Sequence, residues 1–137
     1  MVKINVVSIL IIAILSLGFV SGEASARQTG KKTAVGKAGW YAKYDSTDPM
    51  PHIRNTDGSL FNENAFTCAM RSRRFGHHYK VTNLKNGKSI IVKHRDFGPA
   101  TKYRGKRLNR IIDLSKAAFE HIADLKTGVI WVKVKPI

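Results

Sequence analysis

The sequence predicts an all-β domain of about six short strands and one short helix, arranged as a closed barrel or a sandwich. Three observations carry this expectation. Short β-branched or aromatic runs recur along the chain, near residues 38–41, 66–70, 79–84, 89–94, 109–114 and 129–134. Clusters of Gly, Pro, Asn and Asp punctuate them. One segment alone, behind Ser115, shows helical spacing.

The first 26 residues stand apart from that domain. Lys3 precedes an apolar run from Ile4 to Val20, and Ala24-Ser25-Ala26 follows. A positive start, an apolar centre and a small-residue exit are the layout of a secretory signal peptide, with cleavage expected after Ala26. Residues 27–37 are Gly- and Lys-rich without a period and read as a flexible basic linker. The domain is expected over 38–137.

Within it, Ala38-Gly39-Trp40-Tyr41 opens a first strand. Residues 44–59 are dense in Asp, Ser, Pro, Asn and Gly and read as a long loop. Residues 61–70 lead into a second strand. A hairpin follows over 79–94, with Asn86-Gly87 as a two-residue turn, since Asn and Gly best tolerate positive φ. Residues 100–108 form a basic loop, and 109–114 another strand. Ser115 is a candidate N-cap for a helix over 116–123, which turns Phe119 and Ile122 inward. In the last strand Ile130, Val132 and Val134 share one face. Trp131 lies on the other face of that strand and is open to a sugar-stacking or a core role, of which the core is expected.

The formal charge of +15 steers the chain toward polyanions: cell-wall polymers, anionic lipid surfaces or nucleic acid. The aromatic spacing of a nucleic-acid platform is missing, so no nucleic-acid partner is expected. Cys68 is the single cysteine; in an apolar stretch it reads as a small core residue, and no internal disulfide can form. His77 and His78 are adjacent, so on a strand they point apart, and no metal site is expected.

From Gly39 to its end the chain resembles the rare lipoprotein A family. The residues that carry this are Ala38-Gly39-Trp40-Tyr41, Phe66-Thr67-Cys68-Ala69-Met70, Phe75-Gly76, Tyr79-Lys80-Val81-Thr82-Asn83-Leu84, Asn86-Gly87-Lys88-Ser89, Asp96-Phe97-Gly98-Pro99 and Arg110-Ile111-Ile112-Asp113-Leu114-Ser115. They occur in the family's order. The resemblance implies a six-stranded double-psi β-barrel, with expansins, barwin and family 45 endoglucanases as distant relatives. It implies a peptidoglycan lytic transglycosylase, a lyase that cleaves glycan strands without water and leaves anhydro-muramic ends. It needs no cofactor, and its partners would be glycan strands and other cell-wall or division proteins; the chain is read as a monomer. Many relatives carry a Glu after the Gly of the second loop and a His where the 66–70 segment ends. Here those positions hold Ser59 and Met70.

A lytic transglycosylase can work with one carboxyl group, which protonates the leaving glycosidic oxygen and then takes the proton of the attacking sugar hydroxyl. The residues that match the family's acids are Asp96 and Asp113, expected on one groove. An Asx turn at Asp96 and helix-start pairing at Asp113 are the structural alternatives. Asp57 and Glu63, which flank the missing Glu, read as solvated loop carboxylates. Trp40 and Tyr41 fall on opposite strand faces, one for the core and one for a sugar ring. Thr67 belongs to a matched segment. His94 lies two residues before Asp96, so a regular strand would put both on one face and let His94 stand in for the missing His; a surface His beside Lys93 is the alternative. Arg110 and the basic run 102–107 would form an anion-binding rim. The rival function is a non-catalytic, expansin-like wall-binding module.

Overall fold

The computed structural model describes residues 32–44 and 50–137. The expected signal peptide, and residues 27–31 of the expected linker, lie outside the described residues. Among the described residues eight strands form: β1 (Ala34–Tyr41), β2 (Thr67–Ala69), β3 (His78–Asn83), β4 (Ser89–Asp96), β5 (Lys102–Tyr103), β6 (Lys106–Arg107), β7 (Arg110–Ser115) and β8 (Ile130–Pro136). Helix α1 covers Lys116–Ile122, and a 3-10 turn follows at Leu125–Thr127. Six of the strands close a barrel in the order β1-β7-β2-β4-β3-β8. The pairs β1–β7 and β2–β4 are parallel, and the others are antiparallel.

Alternation along the strands builds the core. In β8, Ile130, Val132 and Val134 point inward; in β4, Ile90, Val92 and His94 do the same. Val81, Ile112, Leu114 and Cys68 complete the interior, and Ala118, Phe119 and Ile122 of α1 cover it. Ser115 is the N-cap, as expected. Its Oγ accepts from Ala118 N at 3.4 Å and donates to Ala65 O at 2.5 Å, so one buried hydroxyl ties the helix start to the approach to β2. Replacing Ser115 with Ala should cost about 1–2 kcal/mol, read as a lower denaturant midpoint at unchanged slope. An unchanged midpoint would show that the cap contributes nothing.

Four expectations need correction. Strand β1 begins at Ala34, inside the end of the supposed linker, because Ala34–Ala38 pair with Val134–Ile130 of β8. Trp131 is 56% exposed, since strict alternation with Ile130 and Val132 leaves it no way inward. The β3–β4 turn is wider than two residues: Asn83 N donates to Lys88 O and Gly87 N to Asn83 O, enclosing residues 84–87. Gly87 alone has positive φ there; the Asn86 amide, like that of Asn83, donates to Ile122 O at the end of α1. Those two amides satisfy a carbonyl the helix cannot pair itself. Residues 102–107 are not a plain loop but a small hairpin, turning through Arg104 and Gly105, both at positive φ.

Candidate functional site

Strand register places the two matched carboxylates. Ala69 of β2 pairs with Asp96 of β4 on one side and with Asp113 of β7 on the other. Asp113 in turn pairs with Gly39 of β1. Residues directly opposite one another in a sheet put their side chains on the same face. The row Gly39–Asp113–Ala69–Asp96 therefore carries both aspartates on one outer face. Two strand spacings of about 4.8 Å leave their backbones about 10 Å apart.

Asp96 reaches this face through a bulge. Cys68 pairs with His94, but the next residue, Ala69, pairs with Asp96, so Arg95 is the extra residue. An extra residue reverses the side-chain alternation at that point. His94 points into the core and is fully buried, its Nδ1 3.1 Å from Arg74 O and its Nε2 2.9 Å from Asp96 O. The expectation that His94 shares a face with Asp96 and contacts substrate fails on this bulge; His94 is neither at the groove nor at the surface.

Asp96 is 6% exposed and densely partnered. Its Oδ1 accepts from Thr56 N at 3.0 Å, from the Thr56 hydroxyl at 2.5 Å and from Phe97 N at 2.8 Å. Its Oδ2 lies 2.7 Å from His52 Nε2. The two atoms are within ion-pair distance, although their angle is not that of a hydrogen bond. Oδ1 has no lone pair to spare, so Oδ2 is the oxygen that can exchange a proton. The loop that brings Thr56 is itself fastened. Asp57 N donates to Arg95 O, and Asp57 Oδ2 meets Arg95 Nη1 at 3.1 Å. Burial is the largest single influence on Asp57 and raises its carboxyl, but the hydrogen bonds from Ser59 and the Arg95 charge together outweigh it and hold the carboxyl below its ordinary value. Ser59 is thus spent inside its own loop. Glu63 is spent too: its Oε2 accepts from Lys43 N and its carbonyl from Ala117 N.

Tyr41 lies within electrostatic reach of both acids. Its ring stacks on Phe61 at 5.0 Å between centroids and meets the His52 ring edge-on at 5.5 Å. Burial pushes its phenol well above the ordinary value; the Thr67 hydroxyl opposes this, and the charges of both Asp96 and Asp113 add to it. A neutral phenol influenced by both carboxyl groups lies on this face, with buried Thr67 beside it. Trp40 takes the opposite face, packs on the core and donates from Nε1 to Leu125 O at 3.2 Å. Of the two aromatics, Tyr41 lies on the face of the aspartates and Trp40 against the core.

At the other end, Arg110 Nη1 lies 3.3 Å from Asp113 Oδ1. The pair lies over Gly39, where a Cβ would come within 2.8 Å of Asp113 Oδ1. Any side chain at this position would have to push the Arg110 and Asp113 side chains aside. The N-cap of α1 is Ser115, and the first helical turn holds no acid. Asp96, Asp113, Tyr41, Thr67 and Arg110 are therefore gathered on one outer face of the barrel, while Trp40 and His94 are not. Met70, at the family's His position, packs against the core.

Sequence reasoning missed His52 and Thr56, both in the segment read as loop, and Phe61, read as the approach to a strand. Their only local signal is an imidazole and a hydroxyl four residues apart among turn formers.

A family model described as lytic transglycolase matches residues 33–134. Endolytic peptidoglycan transglycosylase RlpA of Neisseria meningitidis serogroup A is 38% identical over 111 residues, covering 80% of this chain and 41% of the relative. A probable endolytic peptidoglycan transglycosylase RlpA of Synechocystis is 41% identical over 105 residues, 76% of this chain and 29% of the relative. The chain thus spans less than half the length of these curated relatives. Among solved structures, the Streptomyces papain inhibitor superposes with a TM-score of 0.57 at 23% identity, covering 77% of this chain and 94% of that one. The apo expansin of Clavibacter michiganensis gives 0.56 at 20% identity, covering 77% and 50%. At such identities these two likenesses speak to the barrel fold alone.

Proposed function

Because this chain belongs to the lytic transglycolase family of double-psi β-barrels, we propose that it is an endolytic peptidoglycan lytic transglycosylase, with Asp96 as its acid and base. The observation that supports this most is the Asp96 carboxyl group, saturated at Oδ1 and facing His52 at Oδ2, on the same groove as Asp113.

In this reading the glycan lies across Ala69 and Tyr41, between the two acids. Protonated Oδ2 of Asp96 gives its proton to the glycosidic oxygen as the C1–O bond breaks. The 6-hydroxyl of the same muramic residue attacks C1 and closes the anhydro ring, and its proton returns to Asp96. The attack is within one sugar, so no water has to be positioned. His52 packs its Nε2 against Oδ2 and keeps that oxygen in place. Asp113, oriented by Arg110, faces the positive charge that develops at C1. His52 supplies an imidazole at the groove although Met70 stands where relatives carry His. The names of the relatives support peptidoglycan as the substrate. No cofactor enters this chemistry, and we read the protein as a monomer acting on glycan strands.

The test is incubation of the purified protein with intact and peptide-stripped sacculi, followed by mass analysis of the soluble products. Muropeptides with anhydro-muramic ends are the expected result. Binding without any such release would instead favour the expansin-like wall-binding module.

Export fits this function, since the substrate lies outside the cytoplasm. We place the protein in the periplasm, the cell envelope or the medium, with a mature start near Arg27, on the strength of the positive, apolar and Ala-x-Ala order of residues 1–26. N-terminal sequencing of protein from its native host should read from Arg27. An intact Met1 in the membrane fraction would refute cleavage.

A further inference from the structure

We propose that the outer face of β1, β8, β3 and β4, away from the acid groove, docks onto an anionic phospholipid bilayer. These strands are neighbours in the barrel. Their outward positions bring Lys37 opposite Trp131, Val35 opposite Lys133, and Lys80 opposite both Lys135 and Ile91. Those four lysines are exposed, and β1, β3 and β8 contain no acidic residue to neutralise them. Like charges directly opposite in a sheet cost stability. The Lys80–Lys135 pair is therefore a local strain on the fold that a layer of anions would relieve.

The chemistry of the face favours a lipid surface over a soluble polyanion. Trp131 is 56% exposed, Val35 59% and Ile91 53%, all set among the lysines. A chain of phosphates gains nothing from bare Val and Ile, whereas a bilayer accepts them at its headgroup boundary. Trp is at home at that level, with its apolar ring inward and its N–H toward water. Lysines extend their stems along the apolar side chains and carry their charge to the headgroups. The charged outward positions of β1, β3 and β8 hold Lys and no Arg. A flexible point charge suits a diffuse anionic layer, whereas planar bidentate recognition of single carboxylates calls for Arg. The Lys37 ammonium lies 5.7 Å over the Trp131 ring, which keeps charge and aromatic side by side. The proposal does not depend on the lytic activity.

The experiment uses the full chain in a Trp40→Phe background, so that Trp131 is the remaining tryptophan. The protein is added to vesicles with brominated acyl chains, made either of phosphatidylcholine alone or with phosphatidylglycerol. The N-terminal apolar run is the same in every arm and can hold the chain to either vesicle. The readout is therefore quenching of Trp131 rather than sedimentation. Quenching at least fivefold stronger on the anionic vesicles is expected, with that excess lost at high salt and in the Lys80→Glu, Lys133→Glu, Lys135→Glu triple variant. Thermal melts establish that the variants fold. Equal quenching on neutral vesicles, or quenching unchanged in the triple variant, would overturn the proposal. So would a Trp131 emission shift produced by linear polyphosphate but not by the anionic vesicles, which would make the partner a soluble polymer.

Discussion

Asp96→Asn should lower the release of anhydro-muropeptides by about 10²–10⁴-fold, the usual contribution of a positioned acid–base group, while sacculus binding stays near wild type. The reason lies in how its two oxygens are used. Asparagine can keep a carbonyl oxygen where Oδ1 accepts from Thr56 N, Thr56 Oγ and Phe97 N. Its amide nitrogen then faces His52 Nε2, which can accept from it as a neutral imidazole. The hydrogen-bond inventory of the loop survives, so the melt should move little. What disappears is an oxygen that can hold a proton, release it to a leaving group and take another back. Mass analysis of digested sacculi, run beside a thermal melt and a pull-down, separates these effects. Activity within threefold of wild type would remove Asp96 from the mechanism and leave Asp113 as the acid. Loss of binding together with activity would mean the change acts through the fold of the 52–61 loop.

The features legible in the sequence were those set by neighbours along the chain. Ser115 could be read as a cap because a helical run begins one residue later, and Ile130, Val132 and Val134 because alternation is a local period. The groove depends on something else. Asp96 faces Asp113 only because Arg95 is an extra residue in β4, and one insertion moves every later side chain to the other face. Nothing in Lys93-His94-Arg95-Asp96 marks that insertion, so His94 and Asp96 looked like strand partners. His52 is harder still. It meets Asp96 from 44 positions away, out of a loop without periodicity, and its place is fixed by edge-on contacts with the Tyr41 and Phe61 rings. Distances of that kind come from closure of the barrel and not from any local pattern. The family resemblance supplied Asp96 and Asp113 by residue matching. It did not supply His52, because the matched segments skip the loop that carries it.

The second carboxyl group should matter for a different reason, and Asp113→Asn isolates it. The expected result is a fall in turnover on the order of 10²-fold, the typical cost of losing one preorganised group aimed at transition-state charge, with little change in sacculus binding. The substituted amide would still offer an oxygen to Arg110 Nη1, so the contact now at 3.3 Å can persist without its charge. Losing a charge-assisted contact of this kind costs about 1–3 kcal/mol, and the Arg110 side chain, 22% exposed, recovers part of that from water. The helix should not suffer, since Ser115 rather than Asp113 caps it. A companion variant distinguishes charge from position. Gly39→Ala keeps every charged group but places a methyl against Arg110 and within 2.8 Å of Asp113 Oδ1. Both side chains end in flexible groups and can move aside, so Gly39→Ala should fold yet hold Asp113 off its line to the sugar. Turnover should fall in both variants, measured as initial rates of anhydro-muropeptide release at saturating sacculus. If Asp113→Asn turns over like wild type while Gly39→Ala does not, Asp113 has no electrostatic role, and the groove floor matters only for its shape.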